Sequence, residues 1–387
     1  MEIQKELDIV NNLLNFSVPV IPDNTRFWMI RTQGGYFYNE FLTKKIIALA
    51  WNNIDSNTDF SEQSKDRLHD DILLNFPDIS RPSTVVNKCK NFMHEVKEGD
   101  ILVIPNKGSR YVTFASAGEY FEDNSKTVAL EKAVIERIKN KDVDINDVSC
   151  PYKKRRHIKL LRTVNSEDIN YSLYRAISSY HGISNLDDYA KYILNELYNA
   201  YIFQGDASIV YNIRKQTPIT PRELSNLIYG NLESLSQIIP EENISTQISL
   251  NSPGDVVYIL KNIYDFAKDN WTAIFALLIF LGGGSAFTFK VPGMIDIVKN
   301  IINIPNEIKQ KNTETEMKQL ELLSKKYEFY KKIKSSGITP EDLIAPLEAL
   351  SAATSSLQAE PIILGNEETS ILQKVSEVPE DSDIDEE

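Results

Sequence analysis

Sulfur and imidazole are scarce in this 387-residue chain, which has two cysteines and four histidines. With no signal-like segment ahead of them, Cys89 and Cys150 fit a reducing cytosol and no disulfide framework. The histidines show no His-Glu-x-x-His spacing and the cysteines no Cys-x-x-Cys pair, so no metal ligand is nominated. A P-loop, a Gly-x-Ser-x-Gly elbow and the kinase motif set are also missing. No catalytic residue is therefore assigned, no cofactor is expected, and the chain is read as a non-enzyme. Pro77-Asp78 with Glu95-Val96-Lys97 superficially matches the PD…ExK pattern of restriction nucleases. That chemistry needs acids converging from strands onto Mg²⁺, and Glu95 and Lys97 end a helical pattern, so the match is read as chance. Basic excess is absent too. A net charge of −13 argues against broad nonspecific binding of nucleic acid by the whole surface.

What is present begins with an uncharged run. Trp271 to Phe289 (WTAIFALLIFLGGGSAFTF) carries no charge in a chain that is 25% charged. Its length is that of a bilayer-crossing helix, about 20 apolar residues. Trp271, Phe275, Leu278, Phe280, Phe287 and Phe289 are its candidate membrane-contacting side chains. The apolar spacing of Val256, Val257, Ile259, Leu260, Ile263 and Tyr264 predicts that one helix runs from Asp255 to Leu281. Gly282 to Gly284 divides the run, so insertion into the interface and burial in an oligomer stand beside spanning. The lysines after it (Lys290, Lys299, Lys309, Lys311) would place the C-terminus in the cytosol.

The expected fold class is α+β, with five segments. Residues 1–165 form a small mixed β-barrel, residues 166–250 a small α/β relay or oligomerisation unit, and residues 251–304 the apolar helix. Residues 305–356 form a coiled-coil segment, and residues 357–387 a disordered acidic tail. Short apolar runs at Arg26–Arg31, Ile46–Trp51, Ile101–Pro105 and Tyr111–Phe114 read as strands. Ser83–Lys97 and Asn185–Ile202 have helical spacing. Thr220-Pro221-Arg222-Glu223 is a helix start, with a threonine cap, proline at the first position and glutamate three residues on. Gln247–Gly254 reads as a linker. Met317, Leu320, Leu323, Tyr327 and Tyr330 are spaced as a coiled-coil seam. The last eleven residues hold seven acids and no base, too little apolar area to offset chain entropy.

Several pieces, in order, resemble the N-terminal domain that some Mrr-type restriction systems carry, a member of the EVE-like, PUA-superfold group. They are Trp28-Met29-Ile30-Arg31, Gly34-Gly35-Tyr36, Phe41 with Ile46–Trp51, Gly99-Asp100 followed by Ile101–Pro105, Lys107-Gly108, Tyr111, Gly118-Glu119-Tyr120 and a closing basic strand around His157–Leu161. Phe114-Ala115-Ser116 stands where such domains carry an Ile-Gly step. The resemblance implies a reader that holds a flipped or free base between aromatic faces. On that reading Trp28, Tyr36 and Trp51 are candidates for stacking, and Arg31 and Lys107 for a phosphate or base edge. The run Lys153, Lys154, Arg155 and Arg156 either contacts phosphate or guards an edge strand with charge.

Two linked features, a base reader and an uncharged segment, suggest an antiviral sensor–effector. Its expected partners are a nucleotide or modified nucleic acid, the inner membrane, further copies of itself and other defence proteins. Its expected location is the cytoplasm with inner-membrane association. A non-catalytic subunit reading modified DNA for a restriction-type system, and an inner-membrane scaffolding oligomer, remain open alternatives.

Overall fold

The computed structural model describes residues 2–106, 110–144, 147–179, 182–249, 254–267, 270–282, 294–304, 317–360 and 362. The chain divides into two compact units: residues 24–193 with 364–387, and residues 1–23 with 194–363. These divisions fall elsewhere than at 165 and 250. The first 23 residues belong with the C-terminal half because helix α1 (Glu2–Leu14) and strand β1 (Val20–Ile21) find their partners there.

The 24–193 unit is built on a six-stranded mixed sheet. Its strands are β2 (Phe27–Ile30), β3 (Ile46–Leu49), β4 (Ile101–Pro105), β5 (Tyr111–Glu122), β6 (Lys154–Asn165) and β7 (Ile183–Asn185), in the order β3-β6-β5-β4-β2-β7. Only β2 and β4 run parallel among the described pairings; the others are antiparallel. The sheet curls as a half-barrel and ends at β3 and β7. Irregularities at Phe114/Ala115 and Ala117/Tyr120 add bend to β5. Helices α2 (Tyr38–Lys44), α3 (Lys65–Asn75), α4 (Pro82–Lys90), α5 (Val128–Lys139) and α6 (Tyr171–Ser179) complete the unit. The predicted 83–97 helix continues past α4 as a single π-turn, Asn91–Glu95.

Asp100 fixes how β2 meets β4. Its buried carboxylate accepts the Arg26 N–H at 3.0 Å, the Trp28 indole N–H at 3.0 Å and the Lys97 N–H at 2.9 Å. Such a cluster replaces the water that the buried carboxyl oxygens have lost.

The second unit resumes within α7 (Ala190–Leu197). Its strands are β8 (Ala200–Phe203), β9 (Asp206–Ile213), β10 (Ile244–Ser249), β11 (Gly254–Leu260) and β12 (Ala359–Glu360). With β1 they form the order β1-β8-β9-β11-β10, and β12 also pairs with β9. The helix expected over 185–202 is therefore shorter, because Ala200–Phe203 pairs with β9 instead. Of the supposed 247–254 linker, residues 247–249 belong to β10 and Gly254 to β11, which pair antiparallel, and residues 250–253 lie outside the described residues. Asp255–Leu281 is not one helix either. Its first six residues are strand, hydrogen-bonded to β9 and β10 on both sides, which suits Val256, Val257 and Ile259. Asn262, at φ 51°, then breaks the direction before α9 (Ile263–Phe266).

Helix α8 (Pro221–Leu235) carries the capping box read from Thr220 and Glu223. Helix α10 (Thr272–Leu281) lies at the centre of the unit, in contact with α1, α8, α11 (Met294–Ile302), α12 (Met317–Ser335) and α13 (Ile344–Ser356). Ala273 to Leu281 are all buried. A helix apolar on every side is what such a position demands. Phe275, Leu278 and Phe280 sit in this core, and Trp271 packs edge-on against Phe275 with centroids 4.7 Å apart. Phe287 and Phe289 lie outside the described residues, as does most of the acidic tail. No described helix is long and apolar enough to cross a membrane.

The coiled-coil seam is replaced by an intramolecular pairing. Helix α12 packs on α1, with Lys326 and Glu6 paired at 2.6 Å and the Lys332 Nζ donating to the Leu14 carbonyl at 2.7 Å. The stripe that turns inward is Leu322, Lys326, Phe329, Tyr330 and Ile333, whereas Leu320 is 57% exposed.

Candidate functional site

In the 24–193 unit a cleft of about 550 Å³ opens at one end of the sheet. Its walls come from chain reversals. Arg31, Thr32, Gln33 and Gly34 follow β2, and Pro105 and Asn106 finish β4. Arg110, Tyr111 and Val112 start β5, Ser166 follows β6, α6 supplies Tyr174, Ile177 and Ser178, and Gly182 precedes β7. The parallel neighbours β2 and β4 thus both end at the cleft.

Four of the wall residues hold left-handed backbone: Gln33 at φ 53°, Gly34 at 68°, Arg110 at 57° and Gly182 at 73°. Glycine adopts this freely, whereas glutamine and arginine do so at a cost. Such conformations gather where a ligand must approach the backbone. The Arg31 N–H donates to the Gly182 carbonyl at 3.0 Å, and its guanidinium donates to the Ile177 carbonyl. Partial burial lowers the guanidinium pKa by desolvation, but arginine stays charged. Arg110 pairs at 2.9 Å with Glu167, where both side chains are exposed and the pair is weak. Among the described residues that wall the cleft there is no carboxylate. Tyr174, on the cleft wall, is 43% exposed. Two guanidinium groups and two tyrosines suit an anionic ligand with a flat aromatic part.

The other predicted site residues are distributed unevenly. Trp28 is 2% exposed, and its indole is committed to Asp100, so its ring is part of the core. Tyr36 is half-buried against the same core. Lys107 lies outside the described residues, although its neighbours Asn106 and Arg110 line the cleft.

Trp51 is held in an unusual state. It has φ 68°, an outlier for a bulky side chain. Two buried charged groups grip its backbone. Glu131, in the first turn of α5, accepts the Trp51 and Asn52 N–H groups, each at 2.7 Å. Lys154 donates to the Trp51 carbonyl at 2.6 Å and the Ile54 carbonyl at 2.8 Å. Desolvation raises the Glu131 pKa and lowers that of Lys154. The result is a half-buried indole with the Lys88 ammonium 5.8 Å from its ring centre.

The basic run turns inward, contrary to a phosphate-contacting strand. Lys153 pairs with Asp55 at 2.7 Å and Glu122 at 3.3 Å. Lys154 is fully buried under the Trp51 turn. Arg155 donates to the carbonyls of Tyr152 at 3.0 Å and Cys150 at 3.2 Å. Arg156 donates to Phe92 at 2.9 Å, Gly118 at 3.1 Å and Met93 at 3.1 Å, which closes the open carbonyls of the π-turn. The physical reason is that loops and helix ends in this unit leave carbonyl groups inside, and long cationic side chains satisfy them.

Sequence reading missed Lys88, Arg110, Tyr174 and Gly182. The Gly-Gly and Lys-Gly turns that flank Arg31 and Arg110 were the available signal. Among the described residues no group of three His, Cys, Asp or Glu side chains could hold a metal ion. A second cavity, of about 320 Å³, lies in the other unit beside Phe16, Tyr198, Asn199 and Ile279, with no charged wall residue. No protein-family profile, curated protein or solved structure matches the chain.

Proposed function

We propose that the 24–193 unit is a reader of a nucleotide or of a base in modified nucleic acid, and that the chain is a sensor in antiviral defence. The observation that carries the reading is the cleft with two guanidinium groups, two tyrosines and, among the described residues, no carboxylate on its walls. Arg31 holds the anionic or edge-accepting part of the ligand, and Tyr174 stacks on the flat part. The inward-turned basic run favours a free nucleotide or a short extruded segment over a long duplex footprint along that strand, since its cations are committed to internal partners and do not face a series of phosphates.

The experiment is calorimetric titration of the full chain with nucleosides, nucleotides and base-modified oligonucleotides. A ligand should bind wild type and lose roughly 5–100-fold in Tyr174→Ala, the range for one lost stacking contact. Arg31→Met should lose at least as much. Equal binding by Arg31→Met, or no binding by any member of the panel, overturns the reading.

In the proposed effector step the helical unit acts at the inner membrane, in one or more copies. That step requires α10 to leave its core, because the helix is buried while the unit is folded. Dye-loaded vesicles of anionic lipid test it. Release only when the bound ligand is added supports the step, and no release under any condition removes it.

A further inference from the structure

Lys88 is a half-buried cation that lies beside Gly182 of the cleft wall without being a wall residue itself. It lies in the last turn of α4, and no described residue offers its ammonium a carboxylate or a hydrogen-bond acceptor. The cations of the basic run differ. Lys153, Lys154, Arg155 and Arg156 each have internal acceptors. Lys88 has none among the described residues, although desolvation lowers its pKa. The π-face of Trp51, 5.8 Å away, offsets only part of that cost.

Its position gives the charge a use. A Cβ on Gly182 would meet Lys88 Nζ at 3.1 Å and its Cδ and Cε at 3.3 Å. Gly182 lines the cleft, and its carbonyl accepts the Arg31 N–H. Lys88 and Arg31 are therefore tied to the same glycine. At φ 73° and with no side chain, that glycine lets the lysine stem lie against the wall. The grip of Glu131 and Lys154 on the strained Trp51 backbone fixes the ring along which Lys88 is laid.

We propose that Lys88 is a second anion contact at this cleft, so that the ligand is a nucleotide with a phosphate group and not a neutral base. The proposal rests on the cleft being the ligand site. The full chain is titrated with inorganic phosphate, the four ribonucleoside 5′-monophosphates and the parent nucleosides at constant ionic strength, with tryptophan fluorescence as the readout. Trp51→Phe identifies the signal from that ring. At least one monophosphate should bind roughly 10–100-fold more tightly than its nucleoside, the range for one charge-assisted contact. Lys88→Met should abolish that difference, and Lys88→Arg should keep most of it. Because its ammonium is unpaired, Lys88→Met should melt at or above the wild-type temperature.

Binding lost in Arg31→Met but unchanged in Lys88→Met overturns this proposal and leaves the cleft reading standing. A lowered melting temperature with unchanged binding also overturns it, because Lys88 then only steadies Trp51. Phosphate binding that depends on Lys88, with nucleosides and nucleotides binding no better than phosphate, supports the anion contact and removes the base reading. If no probe binds, both fall.

Discussion

At the scale of single residues, charge inside this protein is structural where it is paired and informative where it is not. Arg156 shows the first case. Arg156→Met should destabilise the 24–193 unit by about 2–4 kcal/mol in urea unfolding, because two buried carbonyl groups and one part-buried carbonyl group lose their donor. Lysine should rescue little, since it has no planar fork to reach three acceptors. The same substitution should leave the affinity of the folded protein for nucleic acid unchanged, unlike that of an exposed basic strand. The partners of this arginine come from residues 92, 93 and 118, far from 156 in the chain, so nothing local distinguished a buried Lys-Lys-Arg-Arg from a displayed one. Arg31 was nominated only through the resemblance of its stretch to a known domain, and it lies on the cleft wall. Lys88 was not nominated, because its interest lies in a missing partner.

At the scale of elements, the strands were legible where glycine or proline bounded a short apolar run, as at Ile101–Pro105, and the helix start at Thr220 was legible from its cap. Val256 to Leu260 was misread because a continuous apolar run fits a buried strand and a helix equally by periodicity. Pairing with β9 and β10 decided it, and both partners are invisible locally. The described part of the uncharged run, from Trp271 to Leu281, is explained by the core it fills. Leu278→Asp should prevent cooperative unfolding of the helical unit or cost more than about 4 kcal/mol, measured by circular dichroism, because an unpaired carboxylate would be buried. Gly230→Ala should destabilise by about 1–3 kcal/mol despite its better helix propensity. A Cβ there would lie 2.6 Å from the Pro346 carbonyl on α13. Glu223 gives a pH signature. The Lys215 ammonium and the Thr220 backbone hold its carboxyl down to about 2 from an ordinary 4.5. Its contribution is therefore present above pH 4.5 and is lost as pH falls through about 2. Melting temperature against pH should show that loss in wild type and not in Glu223→Gln.

At the scale of the whole molecule, the first 23 residues belong with the C-terminal half of the chain, an arrangement that composition and local pattern do not encode. Glu6 meets Lys326, and the Leu14 carbonyl meets Lys332, only once the chain has closed. A fragment of residues 24–193 should fold alone, with dispersed amide resonances. A fragment of residues 194–363 should lack a sharp thermal transition until a peptide of residues 1–23 is added, and an unchanged transition without the peptide would refute the assignment. Protein synthesis feels this closure directly. Helix α1 is made about 300 residues before α12, which is roughly 15–60 s at 5–20 residues per second. Through that interval the apolar side of α1 has no native cover, so the helical unit completes only after the 24–193 unit between its two parts has been translated, and a holding chaperone would find its target in α1.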